Sequence, residues 1–238
     1  KGACDLVVAT IFVNPAQFNN SKDFENYPIQ LEEDLEKLEK AACDLVFIPH
    51  RQELYPQAPS LQINFGSLET SLEGKFRPGH FAGVGLIISK FFNIIQPSHA
   101  FFGQKDIQQF YVIKKLTEEL NFPVQLHMVP TVREISGLAM SSRNLRLKPE
   151  EQEEAALIYR SLKKAQEELQ HEVSITEVKE NLSRKFSDSQ TLDLEYFEVV
   201  DTNSFQPLTA ITSPDQTALC LAAVINEVRL IDNLPLID

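Results

Sequence analysis

Over its first two-thirds, this 238-residue chain alternates short β-branched apolar runs with stretches of helical periodicity, and few architectures accommodate that order. Residues 6–13, from Leu6 to Val13, form a nearly continuous apolar run, the pattern of a strand buried on both faces. Leu31, Leu35 and Leu38 then recur between acidic and basic residues, which predicts one amphipathic helix. A second buried strand is predicted from Leu45 until Pro49 stops it. An apolar helix is expected over 84–95, closed by Pro97. A short strand at 100–102, an amphipathic helix at 107–120 and a strand at 124–129 ended by Pro130 follow. Strands and helices in this order imply a parallel sheet with crossover helices, whose ligands bind beyond the carboxyl ends of the strands.

The pattern changes near Arg146. Pro149 followed by Glu150, Glu151, Glu153 and Glu154 suits the positive end of a helix dipole, and that helix is expected to reach about Leu169. Ser174 and Glu177 have capping-box spacing for another helix. Strand-like runs follow at 194–200, 218–225 and 228–231. The expected fold class is therefore α/β for residues 1–133, with a smaller α+β domain over 134–238.

Composition narrows the function. A formal charge of −12 disfavours general binding to a nucleic-acid backbone, yet a local group of cations can still dominate a cleft. No apolar run reaches membrane-spanning length and no signal-like start is present, so a soluble, cytoplasmic protein is expected. Cys4, Cys43 and Cys220 lack metal-ligand spacing, and their odd number implies buried thiols in a reducing compartment.

Four constellations could carry chemistry. At Gly103-Gln104-Lys105-Asp106 a strand ends at a glycine, and a lysine and an aspartate open a helix. Such a turn lets backbone approach a ligand closely, presents free N–H groups to an anion and supplies a mobile charge for phosphate. From spacing alone an ordinary βα turn with Asp106 capping the helix is the commoner case, since such turns abound in parallel α/β domains. Met140-Ser141-Ser142-Arg143-Asn144, behind Gly137, offers hydroxyls and an arginine to phosphate oxygens, or is a polar interdomain loop. Phe76-Arg77-Pro78-Gly79-His80 places Arg77 and His80 on a short turn that could meet an anionic substrate or simply lie on the surface. Asn14-Pro15-Ala16-Gln17-Phe18 leaves a strand end with two side-chain amides that could fix a hydroxyl or carboxylate, and Asn-Pro is also a plain turn signal.

Taken together and in this order, these motifs resemble the pantothenate synthetase (pantoate–β-alanine ligase) family. The likeness extends through Tyr27-Pro28, Tyr55-Pro56, residues 90–97, Pro130-Thr131-Val132-Arg133-Glu134 and the closing Arg229-Leu230-Ile231-Asp232-Asn233. The MSSRN segment resembles the KMSKS loop of HIGH-type nucleotidyl transferases. The resemblance implies a Rossmann-like nucleotide-binding domain of that type, with the second domain acting as a lid over ATP. It implies ATP with Mg²⁺, the substrates pantoate and β-alanine, no nucleic-acid or membrane partner, and a homodimer. Position by position it assigns Gln17 and Gln109 to pantoate, with Asn14 and Gln17 beside β-alanine. Gly103, Gln104, Lys105 and Asp106 fall to the ATP loop, with Lys105 at phosphate and Asp106 at ribose; Val132 falls to adenine, and Met140, Ser141, Ser142 and Arg143 to the mobile ATP loop. Lys105, Ser141, Ser142 and Arg143 are the expected catalytic group, Arg77 and His80 line the site, and no residue is assigned to a metal.

Two departures stand out. Gln104 occupies a position that is usually Glu in the family. The family's His-x-Gly-His segment is also absent from this chain, whose histidines are His50, His80, His99, His127 and His171. With a buried strand following directly on Lys1-Gly2-Ala3, a first βα unit is expected to be missing and the chain alone is expected to be poorly active. The competing readings are another adenylyl-transferring enzyme of the HIGH group, and a non-catalytic ATP-binding or scaffold protein.

Overall fold

A computed structural model of the chain describes residues 2, 4–18, 24 and 27–237; Lys1 and Ala3 of the opening segment lie outside the described residues. Strand β1 (Val8–Thr10) leads to a 3₁₀ turn at Pro15–Gln17, then helix α1 (Leu31–Lys40), strand β2 (Leu45–Phe47) and the short helices α2 (Arg51–Leu54) and α3 (Leu72–Phe76). Helix α4 (His80–Ile95), strand β3 (His99–Gly103), helix α5 (Ile107–Glu119) and strand β4 (Gln125–Val129) complete the first part. Helices α6 (Pro149–Ala155), α7 (Leu157–Gln170) and α8 (Ile175–Ser187) precede strands β5 (Leu192–Asp201), β6 (Thr217–Ile225) and β7 (Val228–Pro235).

The parallel pairing expected from the alternation is present as two pairs. β1 runs beside β2, with Ala9 opposite Val46, and β3 runs beside β4, with Phe101 opposite His127. Ala100, Phe102 and Leu126 turn one face of the second pair onto Val84, Phe92 and Ile113 of α4 and α5. The other face carries His99, Phe101 and His127: the two imidazoles meet at 2.9 Å, and His127 stacks on Phe101. The reading of β1 and β2 as strands buried on both faces does not hold. Among the described residues each pairs only with the other, none of their residues is buried, and Leu6 and Leu45 are exposed. The thiol expectation fails in part for the same reason: Cys220 is buried on β6, whereas Cys4 and Cys43 border this open pair and are half-exposed.

Two helix boundaries differ from the sequence reading. Helix α4 begins at His80 rather than 84, because Gly79 adopts the left-handed conformation (φ +80°) that lets α3 end at Phe76, with Arg77 as its C-cap, and a new helix begin at His80. The helix expected from 149 to 169 breaks at Ala156, whose flattened dihedrals separate α6 from α7. Helix α8 opens as its spacing predicted, with Ser174 Oγ accepting from the Glu177 N–H.

The antiparallel sheet β5–β6–β7 packs beneath α7 and α8 around Ile158, Leu162, Val178, Leu219 and Leu221, all almost wholly buried. A second cluster crosses between the halves of the chain. Phe65, Leu72, Phe81, Ile107 and Val112 meet Val200, Ala218 and Cys220 of the antiparallel sheet and Phe205 of the β5–β6 connection. Burying each such side chain contributes roughly 1.5–3 kcal/mol before entropy is subtracted, so this contact fixes the edges of both halves against one another.

Candidate active site

The sequence motifs converge at the carboxyl ends of the parallel strands: Asn14 follows β1, Gly103 ends β3, and Val132 follows β4. Two adjoining clefts open there. The first, ≈ 380 Å³ of space that opens to solvent, is walled by Glu73, Arg77, His80, Lys105, Asp106, Gln109, Tyr196, Asp232 and Asn233, among others. The second, ≈ 290 Å³, is walled by Lys105, Ser141, Arg143, Asn144, Arg229 and Ile231, with apolar neighbours. Lys105 and Ile231 belong to both walls.

Asn14 is 2% exposed, and its amide is fully engaged within the protein. Its Nδ2 donates to Gly83 O (3.0 Å) and, more weakly, to Gln17 Oε1 (3.4 Å). Its Oδ1 accepts from Tyr55 Oη (2.9 Å) and from the Ala16 N–H. Helix α4 comes this close because residue 83 is glycine: a Cβ there would lie 2.2 Å from the Ala16 carbonyl oxygen. The contact holds the Pro15–Gln17 turn, and with it Gln17, against the start of α4. Burial pushes the Tyr55 hydroxyl up to about 12, so it remains a donor to Asn14.

His80 bridges this turn to Arg77. The Arg77 guanidinium donates to His80 Nε2 (3.2 Å), which leaves Nδ1–H to donate to the Gln17 carbonyl (2.9 Å). Burial, and then the charge of Arg77, push the imidazole down to about 4. His80 is therefore neutral at physiological pH, a hydrogen-bond bridge rather than a cation.

Behind Arg77 sits a buried ionic hub absent from the sequence reading. Glu73 receives two hydrogen bonds from Arg229 (2.7 and 2.8 Å) and one from Tyr196 Oη (2.8 Å), while Arg77 lies 3.9 Å away. Arg229 also donates twice to Glu195 (2.6 and 2.8 Å). Burial works to raise the Glu73 carboxyl, but the Arg229 hydrogen bonds and charge outweigh it and hold the group below the usual carboxylate range. Burial lowers Arg77, and Arg143 and Arg229 lower it further, so these three cations share one field. With Arg229 paired to Glu73 and Glu195, the positive charge facing the clefts comes from Arg77, Arg143 and Lys105, and it can attract anions even in a chain of net charge −12.

The Gly103–Asp106 segment folds as a strand end followed by a 3₁₀ turn at Gln104–Asp106, leading directly into α5. Asp106 stands at the N-cap of α5, yet its side chain makes no capping hydrogen bond; it lies 3.9 Å from Lys105 Nζ instead. The plain capping alternative for Asp106 is thus not what the geometry displays. Residues 131–140 form a small hairpin, in which the Met140 N–H donates to the Val132 carbonyl (2.9 Å) and Gly137 turns with φ +92°. Val132 and Met140 therefore lie side by side, both exposed. Arg133 anchors the hairpin through Asp232 (2.6 and 3.0 Å) and stacks 3.8 Å above the Tyr159 ring. Ser141 caps the 3₁₀ turn Ser142–Arg146 by accepting from the Arg143 N–H, and exposed Ser142 donates to Tyr27 Oη at 3.4 Å.

The structure thus gathers Lys105, Asp106, Gln109, Arg77 and His80 at the first cleft, and Lys105, Ser141 and Arg143 at the second. Gln17 joins the first through His80. Gly103, Gln104, Val132, Met140 and Ser142 flank the clefts, and Asn14 stands behind them. Glu73 and Tyr196 were not singled out from the sequence, and Arg229, Asp232 and Asn233 entered only as part of the closing run that resembles the family, with no role at the site assigned to them.

Paired parallel strands with cation-lined clefts at their carboxyl ends define an α/β enzyme that handles anionic small molecules. The model of the pantoate–β-alanine ligase family matches residues 1–235. A pantothenate synthetase from Cytophaga hutchinsonii is 44% identical over 238 residues, all of this chain and 84% of its own length. Another from Leptospira biflexa is 43% identical over 240 residues, with the same coverages. The crystal structure of pantothenate synthetase from Thermus thermophilus superposes with a TM-score of 0.91 at 37% identity, covering 98% of this chain and 84% of that one. A Francisella tularensis pantoate–β-alanine ligase, solved with β,γ-ATP and β-alanine, superposes with a TM-score of 0.80 at 32% identity, covering 99% and 81%. The chain belongs to the pantoate–β-alanine ligase family.

Proposed function

We propose that this ligase condenses pantoate with β-alanine at the expense of ATP, with the acid held in the first cleft and the nucleotide phosphates in the second. The observation that carries the reading is Lys105 on the wall common to both. In the first step a pantoate carboxylate oxygen attacks the α-phosphorus; the new P–O bond gives pantoyl adenylate and the departing oxygen leaves with pyrophosphate. In the second step the β-alanine amine attacks the acyl carbon, the acyl–oxygen bond breaks to release AMP, and the amine loses a proton. Neither step needs a covalent enzyme intermediate, so positioning and charge placement supply the acceleration.

In this reading Gln17 and Gln109 hold pantoate, while Asn14 acts by fixing Gln17 and the adjoining β-alanine site. Arg77 supplies charge at the acid, and neutral His80 holds Arg77 and Gln17 in register. Gly103 admits the nucleotide to the backbone, with Gln104 beside it and Asp106 at the ribose. Val132 and Met140 flank adenine. Lys105, Ser141, Ser142 and Arg143 receive the phosphate oxygens as charge moves towards pyrophosphate. Mg²⁺ accompanies ATP as its counter-ion.

The division at 133/134 belongs to the same proposal, supported by a core drawn wholly from Leu138 onward. A homodimer and a cytoplasmic setting follow from the family resemblance; among the described residues no helix is long and apolar enough to cross a membrane. Pantoate-dependent exchange of label between pyrophosphate and ATP tests the reaction. With the family's His-x-Gly-His segment supplied ahead of this chain, exchange is expected with pantoate and to be lost in Lys105→Ala; exchange with a different carboxylic acid and none with pantoate would overturn the substrate assignment.

A further inference from the structure

We propose that Asn233, on β7, is the positioning residue of the phosphate-facing turn, acting through the paired carbonyls of Gln104 and Lys105. The proposal rests on the nucleotide role given to Lys105 above. Asn233 is 2% exposed and lies more than a hundred residues from the turn in sequence. Its Nδ2 donates to Gln104 O at 2.9 Å and to Lys105 O at 2.8 Å. An amide NH₂ has two diverging N–H bonds, and here each takes one of two successive carbonyls. A planar trans peptide sets each N–H opposite its carbonyl, so this grip also fixes the directions of the Lys105 and Asp106 N–H groups. Both lie in the 3₁₀ turn that leads directly into α5, next to the backbone donors an anion meets at a helix start.

The third contact concerns Gln104. Its Nε2 lies 3.5 Å from Asn233 Oδ1, a long contact in which an amide donor faces an acceptor. A glutamate at 104 would set a carboxylate against that same oxygen. The Asn233 N–H in turn donates to Asp232 Oδ1 (2.8 Å), whose carboxylate holds the 131–140 hairpin through Arg133. One strand thus orients both segments that flank the nucleotide.

The test is calorimetric binding of Mg–ATP and, separately, of pantoate to the full chain, with thermal unfolding of each variant alongside. Asn233→Ala is expected to weaken ATP by about tenfold, the scale of the hydrogen bonds removed, and pantoate, whose cleft Asn233 also lines, by clearly less. Asn233→Asp keeps the volume but turns a carboxylate on two carbonyls. It is expected to lose ATP affinity at pH 8 and to recover part of it relative to wild type towards pH 5.5, where a protonated carboxyl again donates. A folded Asn233→Ala with wild-type ATP affinity, while Lys105→Ala loses it, overturns the clamp. Equal weakening of ATP and pantoate with a collapsed melting temperature and no pH-dependent recovery in the aspartate variant overturns it in favour of a purely structural role. Undiminished ATP binding by Lys105→Ala instead removes the nucleotide reading on which the clamp rests.

Discussion

Gly83→Ala should loosen the fold and the pantoate side of the site together. The added Cβ would lie 2.2 Å from the Ala16 carbonyl oxygen, 2.4 Å from its carbon and 2.7 Å from the Gln17 nitrogen. All three are backbone atoms, so no side chain can swing aside. Restoring ordinary contact needs helix α4 and the Pro15–Gln17 turn to part by about an ångström, and overpacking of this kind costs about 1–3 kcal/mol. The displacement also stretches the buried bond from Asn14 Nδ2 to the Gly83 carbonyl, now 3.0 Å, and a buried donor left unpaired costs about 1–3 kcal/mol more. Alanine recovers about 0.5–1 kcal/mol through its better helix propensity. The net expectation is a loss of about 2–4 kcal/mol in urea unfolding with an unchanged denaturant slope. The bond from His80 Nδ1 to the Gln17 carbonyl (2.9 Å) lies across the same seam, so calorimetric pantoate affinity should fall with stability while ATP affinity changes little. A variant within about 0.5 kcal/mol of wild type and with intact pantoate binding would refute the view that this close approach positions Gln17.

Three further outcomes are expected. His80 titrates near its ordinary 6.5 when unfolded and about 4 when folded, so between those values the unfolded chain binds a proton that the folded chain does not; stability should fall by about 3 kcal/mol as pH drops across that window, and His80→Gln should flatten this part of the unfolding-versus-pH curve. Glu73→Gln leaves Arg229 and Arg77 without their shared buried carboxylate and should cost about 3 kcal/mol in denaturant unfolding, and a near-neutral result would discount the hub. Gly103→Ala should leave the melting temperature unchanged, since its φ of −70° suits any residue and nothing lies within 4 Å of the added Cβ, while ATP affinity drops if the nucleotide packs against that backbone.

What the sequence disclosed was local. Helices α1 and α5 stand where leucine spacing and an amphipathic run placed them, and the Ser174 cap appears as its spacing predicted. The Asn14 and Gly103 motifs fall at strand ends because the turns that carry them are encoded within a few residues. The start of α4 was hidden because Pro78-Gly79 suits a surface turn as well as the left-handed link between two helices. Burial of β1 and β2 was misjudged because an apolar run records what a strand can bury, not how many neighbours it finds. The hub was beyond any window-based reading: Glu73 and Arg229 are separated by 156 positions, and an isolated glutamate in a helix reads as a solvated face.

The long-range contacts also account for the arrangement of charge. Activating a carboxylate with ATP brings two anions together, and they must meet within about 3–3.5 Å for the oxygen to reach phosphorus. Cations on opposite walls would hold them apart; a cation on a shared wall draws them to one point. Lys105 occupies such a wall. Its neighbours differ in how fully their charge is spent. Arg229 is tied to both Glu73 and Glu195, and Arg133 is tied to Asp232, so these two arginines serve as struts. Arg77 lies 3.9 Å from a Glu73 carboxylate already occupied by Arg229, and the histidine beside it is neutral. Its charge is thus left facing the first cleft, where the acid would lie. The carboxylates of this acidic chain do not cancel the site, because those at the clefts are largely committed to arginines that fix geometry, and the field that remains is positive where a carboxylate and a phosphate must approach each other.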